Sequence, residues 1–235
     1  MKDFYSTVVN CPLTSDECPY ALKNLDTGDI PRGFSSHPRI HPDILVVRKN
    51  PGHADKTEKD YYRGKQAEEL FNELLRYRAD LRSGKVHSSK GASRFRTNEL
   101  RYLLFILGYH KKLKPFKKFQ IQVEEEKHIR RRVVFTNLFK CSTRDEQAKI
   151  PGQAFSVCYE RYFRDELHIL RPKLILAAGK EVYGFLSRRA KAGDLDVTIL
   201  LMKHPSYFYS KIEEPLALRK IKHSVQKVLR GLGNR

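Results

Sequence analysis

The stretch Asp43-Ile44-Leu45-Val46-Val47-Arg48-Lys49-Asn50-Pro51-Gly52 decides the fold. Its apolar centre is short, β-branched at Ile44, Val46 and Val47, and halted by Asn50-Pro51-Gly52. A brief continuous apolar run stopped by turn residues reads as a buried strand. The pattern recurs three times. Arg132-Val133-Val134-Phe135-Thr136 runs into Asn137, Lys173–Ala178 into Gly179, and Val197–Lys203 into His204-Pro205-Ser206. Between these runs the apolar period lengthens. Ala67, Leu70, Phe71, Leu74 and Leu75 share one face of a helix over 64–79. Residues 94–109, 153–170 and 180–191 follow the same spacing, and 215–232 forms a basic C-terminal helix. Buried strands alternating with helices predict an α/β fold with three layers (αβα) and a central, mostly parallel four-stranded sheet.

Composition narrows the partner. The 235 residues include 46 Lys+Arg against 27 Asp+Glu, a formal charge of +19 at pH 7. Such an excess points to a polyanion, nucleic acid before an anionic membrane surface. No run approaches the roughly 18 apolar residues of a membrane span, and MKDFYSTVVN lacks the apolar centre of a signal peptide. The expectation is an intracellular protein of the cytoplasm or nucleoid without a membrane partner. Apolar segments recur along the whole chain, which predicts one domain over 1–235. Within it, 1–40 forms an N-terminal arm and 82–131 a basic, partly aromatic insertion.

In open α/β sheets, ligands bind outside the carboxyl ends of the strands. Asn50, Asn137 and His204 each follow a predicted strand. Singly, each reads as a turn residue; together they would ring one crevice. An Asn amide both donates and accepts, and a neutral imidazole donates. That inventory suits the edge of an uncharged heterocycle such as a nucleobase.

The cysteines number four: Cys11, Cys18, Cys141 and Cys158. Disulfides are not expected in an intracellular protein. Two pairs distant in sequence can close one tetrathiolate site that ties the arm to the body. Four thiolates suit either a [4Fe–4S] cluster or a structural zinc, and the spacing leaves the metal open.

These segments, taken in order, resemble the uracil-DNA glycosylase superfamily, most of all its iron–sulfur branch, commonly called family 4. Val46–Gly52 resembles the first motif, a strand ending in G-x-[AND]-P-G. Val134–Cys141 resembles the T-N-V-V-K-C segment, Leu170–Gly179 is similar to the L-x-P-K strand, and His204-Pro205-Ser206 is similar to the closing H-P-S. Order and spacing agree over roughly residues 11–210. The resemblance implies an enzyme of base excision repair, a monomer that hydrolyses the N-glycosidic bond of uracil in single- or double-stranded DNA. Other deaminated bases are further candidate substrates. It also favours the [4Fe–4S] cluster over zinc, with Cys11, Cys18, Cys141 and Cys158 as ligands and a structural role.

The same carry-over gives roles residue by residue. Asn137 would read the polar edge of uracil, and Pro51-Gly52 would line the pocket. Tyr62 would stack on the base, because Tyr61-Tyr62-Arg63-Gly64 is similar to the family's P-F-V-G. Asn50 would hold the attacking water, and His204 would donate to uracil O2. Ser206, Tyr207, Phe208 and Lys211 would belong to the loop that enters the duplex, with the two aromatics as wedge and Lys211 on a phosphate. The first motif departs from family 4: Arg48 replaces its Gly and Lys49 its Glu. Asn50-Pro51-Gly52 is instead familiar from the mismatch-specific and single-strand-selective branches. Asn cannot act as a general base, although His53 and Asp55 lie just downstream. The alternative is therefore a catalytically weak or inactive member that binds uracil-containing or single-stranded DNA.

Overall fold

A computed structural model describes residues 2–12, 18, 30–34, 40–52, 54–83, 85, 94–141, 150, 152–205 and 213–231. In chain order the elements are α1 (Lys2–Val9), β1 (Ile44–Arg48), α2 (Lys56–Tyr62), α3 (Ala67–Ser83), α4 (Arg94–Ile106), α5 (Val123–Arg132) and β2 (Val133–Asn137). They continue with α6 (Gly152–Cys158), α7 (Arg164–Leu170), β3 (Leu174–Ala178), α8 (Lys180–Lys191), β4 (Thr198–Met202) and α9 (Glu213–Gly231). One π-helical turn, Tyr159–Phe163, joins α6 to α7. Among the described residues, no helix is long and apolar enough to cross a membrane.

The four expected strands form one parallel sheet in the order β2-β1-β3-β4, flanked by helices. The register pairs Ile44 with Leu174 and Val47 with Ala177, then Leu174 with Thr198 and Ala178 with Met202. Parallel neighbours require long crossovers, which the helices supply. A parallel arrangement also brings the carboxyl end of every strand to the same edge of the sheet. β4 departs from the expected buried strand. It has one neighbour only, and between Thr198 and Leu201 it is exposed to half-buried, with only Met202 enclosed.

The chain divides into two compact units interleaved in sequence: 1–38, 48–91 and 136–169 in the first, and 39–47, 92–135 and 170–235 in the second. The first is built around Tyr5, Val8, Phe34, Leu70, Phe71, Leu74 and Tyr162. Leu70, Phe71 and Leu74 are the apolar face expected for α3, and all three are buried. The Tyr5 ring stacks on Phe34 at 4.4 Å between centroids.

The second unit contains the helix expected over 94–109 within the basic interval 82–131. Its helix α4 sends Leu100, Tyr102, Leu103, Leu104, Phe105 and Ile106 into the unit's core beside Val46, Leu176 and Met202. Helix α9 joins that core through Leu218 and Val225, seven residues and two turns apart. At the amino ends of the strands, Asp43 binds Lys173 at 2.7 Å and also pairs with Arg132. Burial alone would raise the Asp43 carboxyl, but hydrogen bonds and charge from Lys173 and Arg132 hold it below its ordinary value.

Candidate functional site

In the first unit, Asn137 closes β2 and is 6% exposed. Its backbone N–H donates to the Gly33 carbonyl at 3.1 Å. Its side-chain Oδ1 is buried and has no hydrogen-bond partner among the described residues. Leaving a buried acceptor unmet costs about 1–3 kcal/mol. An amide oxygen of this kind can accept a hydrogen bond from a ligand.

The neighbouring backbone extends from this strand end to the first motif. Leu138 N–H donates to Arg48 O at 2.8 Å and Phe139 N–H to Lys49 O at 2.9 Å. The turn that follows contains Asn50, Pro51 and Gly52, all partly exposed. Gly52 has φ +70°, a conformation that favours glycine. The turn is pinned by Arg32, which donates to Gly52 O at 2.8 Å and pairs with Glu58 at 2.9 Å. Asp55, a candidate helper in catalysis, is the N-cap of α2 and accepts from Glu58 N–H at 2.8 Å. Its carboxylate is engaged in capping. Tyr62, expected to stack on a base, has no exposed surface and packs in the first unit's core.

Beneath Asn137 lies a buried polar network that the sequence reading missed. Lys140 Nζ meets Glu166 at 2.6 Å, Thr136 Oγ1 at 3.0 Å and the Gly33 carbonyl at 3.2 Å. Tyr5 donates to Glu166 at 3.0 Å. Lys140 and Glu166 are almost wholly enclosed, and a buried pair of this kind is tolerable only when its remaining lone pairs and protons are met. Here several are. A signal existed: Glu166 interrupts the apolar face formed by Phe163, Leu167 and Leu170. The π-helical turn that sets this face has no comparable mark in sequence.

All four cysteines are buried, none is in a disulfide among the described residues, and they line one pocket with Pro31, Lys140 and Tyr162. Burial first, then Cys18 and Cys11, pushes the Cys158 thiol up to about 11, against a backbone hydrogen bond and charge from Lys140. Burial, together with a hydrogen bond to Cys11, also raises the Tyr162 hydroxyl. Thiolates crowded here need a compensating cation, which is what a thiolate metal centre supplies. The donor set fits such a group. Among the described residues, no three or more His, Cys, Asp or Glu side chains are gathered as ligands of a single metal ion.

In the second unit, His204 follows β4 and is partly exposed. Its ring lies 5.0 Å from that of Phe95, tilted by 49°. Gly179, after β3, holds φ +107° and donates to Met202 O at 2.8 Å. A Cβ added there would lie 3.6 Å from both Cβ and Cδ2 of His204, so the glycine and the imidazole are close neighbours. His53, Ser206, Tyr207, Phe208 and Lys211 lie outside the described residues.

The outer face of α9 presents Arg219, Lys220, His223, Lys227 and Arg230, all exposed. At 100° per residue these five fall within an arc of about 100° and extend for about 16 Å. No acidic residue of α9 interrupts them after Glu214.

A search of curated proteins finds no match to the chain. Residues 34–227 match the sequence model of the uracil DNA glycosylase superfamily.

Proposed function

Because the chain belongs to the uracil DNA glycosylase superfamily, we propose that it removes uracil from DNA as an iron–sulfur member of that family. Membership implies base excision from DNA, and the choice of uracil rests on Asn137. Its buried, unpartnered Oδ1 would accept the N3–H of uracil, while the amide nitrogen would donate to O4. Cytosine presents a bare N3 acceptor there, so the same amide would reject it.

To reach the glycosidic bond the base must leave the stack. The C1′–N1 bond then breaks with its electron pair on the departing uracil, where charge spreads to O2 and O4. His204 would donate to O2 and stabilise that charge. Asn50 would position the water whose oxygen joins C1′ and whose proton passes to the released base. In the first unit Asn50 lies just beyond β1 and Asn137 closes β2, and in the second His204 lies just beyond β4. The stripe on α9 would track phosphates.

Cys11, Cys18, Cys141 and Cys158 would hold a [4Fe–4S] cluster whose contribution is to tie the arm to the body. Four thiols around one pocket suit a tetrathiolate centre, and the resemblance to the iron–sulfur branch favours the cluster over zinc.

The test is release of base from a uracil-containing oligonucleotide, read after alkaline cleavage of the abasic site. The parent should give product, and His204→Ala should lower single-turnover release about 100-fold or more. Equal release by both would remove His204 from the mechanism. Binding of uracil-containing DNA without product would select the inactive alternative, which Arg48 and Lys49 in the first motif motivate.

A further inference from the structure

Helix α4 carries three enclosed polar side chains, Asn98, Glu99 and Arg101, at 1%, 0% and 3% exposure. Each must be partnered to be tolerated there. Glu99 meets Arg96 at 2.9 Å. Asn98 and Arg101 act together. Arg101 donates to Asn98 Oδ1 from Nη2 at 3.0 Å and to Lys114 O from Nη1 at 2.8 Å. Its Nη2 also pairs with Glu214, which accepts from the Tyr102 hydroxyl at 2.7 Å. A guanidinium only donates, so the amide oxygen of Asn98 must face Arg101. The amide nitrogen is thereby aimed at the carbonyl of Pro205, 3.0 Å away.

Pro205 directly follows His204, and Glu214 is the second residue of α9. Two side chains one helical turn apart therefore anchor Pro205 and Glu214. Phe95, one further turn back on α4, sets its ring against that of His204. We propose that Asn98 and Arg101 are positioning residues, a clasp that fixes the His204-Pro205 turn and so aims the imidazole. The inference rests on the glycosylase reading for its catalytic consequence, and on the contacts of α4 alone for its effect on His204.

Two variants of the full-length holoprotein separate the clasp from simple packing. Asn98→Ala removes all three hydrogen bonds of the side chain, two accepted from Arg101 and one donated to Pro205. Asn98→Asp keeps the partner of Arg101, and hence the fold, while removing the donor to Pro205. The readouts are the NMR signals of the His204 ring and single-turnover uracil release. Both variants should move the ring signals and lower the release rate about 10- to 100-fold, as expected for a misaimed group. The DNA concentration for half-saturation should stay within about three-fold, because the clasp aims a group that acts mainly in the transition state. Unmoved ring signals with parental release would overturn the clasp. If the parent itself releases no base, the glycosylase reading falls. The His204 ring signals then decide the clasp: movement supports it and no movement refutes it.

Discussion

Gly33 is where the N-terminal arm, the Asn137 strand end and the cysteine pocket meet, and adding one methyl group there should disturb all three. Its N–H donates to Lys140 O at 2.9 Å, and its carbonyl accepts from Asn137 N at 3.1 Å, Thr136 Oγ1 at 3.2 Å and Lys140 Nζ at 3.2 Å. A Cβ would come within 2.8 Å of Lys140 Cα, 2.9 Å of Lys140 O and 3.1 Å of Asn137 Cβ. The first two are backbone atoms and cannot swing aside. Gly33→Ala must therefore part the arm from the segment linking Asn137 to Cys141. Overpacking of this kind costs about 1–3 kcal/mol. Two hydrogen bonds lost with the displacement add about 1 kcal/mol each. The sum is about 3–5 kcal/mol, and a chain of this length loses about 2–4 °C of midpoint per kcal/mol. Thermal unfolding of the holoprotein at fixed scan rate should fall by at least about 6 °C, together with slower uracil release. Gly152→Ala is the matched control, because a Cβ there meets nothing within 4 Å. A Gly33→Ala protein that melts within about 2 °C of the parent and releases uracil at the parental rate would refute the close-packing argument.

Asp43→Asn should lower stability at neutral pH, with the gap to the parent closing in acid. The folded Asp43 carboxyl lies below its ordinary value, so its contribution is complete above about pH 4 and is lost as pH falls through the folded value. Thermal midpoints from pH 7 downward check this, and a gap that widens in acid would reverse the sign. Replacing Arg219, Lys220, Lys227 and Arg230 by Ala should reduce the log–log salt slope of binding to undamaged duplex by about 2–4. An unchanged slope would free α9 from the DNA face. The purified protein should contain iron and inorganic sulfide in equal amounts, about four of each per chain, and Cys141→Ser should lose most of both. Stoichiometric zinc without iron in protein prepared anaerobically would replace the cluster with a zinc centre.

The strands were legible because buried parallel strands leave near-continuous apolar runs, and each lies within a residue or so of the expected position. The exposure of β4 was not, since an edge position depends on which strands neighbour it. Helix α4 was legible from the spacing of Leu100, Leu103 and Leu104, all three of which enter the core. Asn137 was visible as a polar strand end, but its unpartnered oxygen is a property of three-dimensional packing. Asp55 looked like a spare carboxylate near the first motif, and only the α2 geometry shows it as a cap. Gly33 carries no motif at all. Its importance comes from Lys140, more than a hundred residues away, and no local pattern reports such an approach.

Base choice by Asn137 tests the central claim most directly. Single-turnover release should be measured from matched oligonucleotides carrying uracil or cytosine at one position, for the parent and for Asn137→Asp. The parent should release uracil and leave cytosine intact. In Asn137→Asp the carboxylate loses the donor to O4, so uracil release should fall by about 10-fold or more and discrimination should narrow. Parental release and undiminished discrimination in Asn137→Asp would contradict the assignment of the buried amide as the reader of the base.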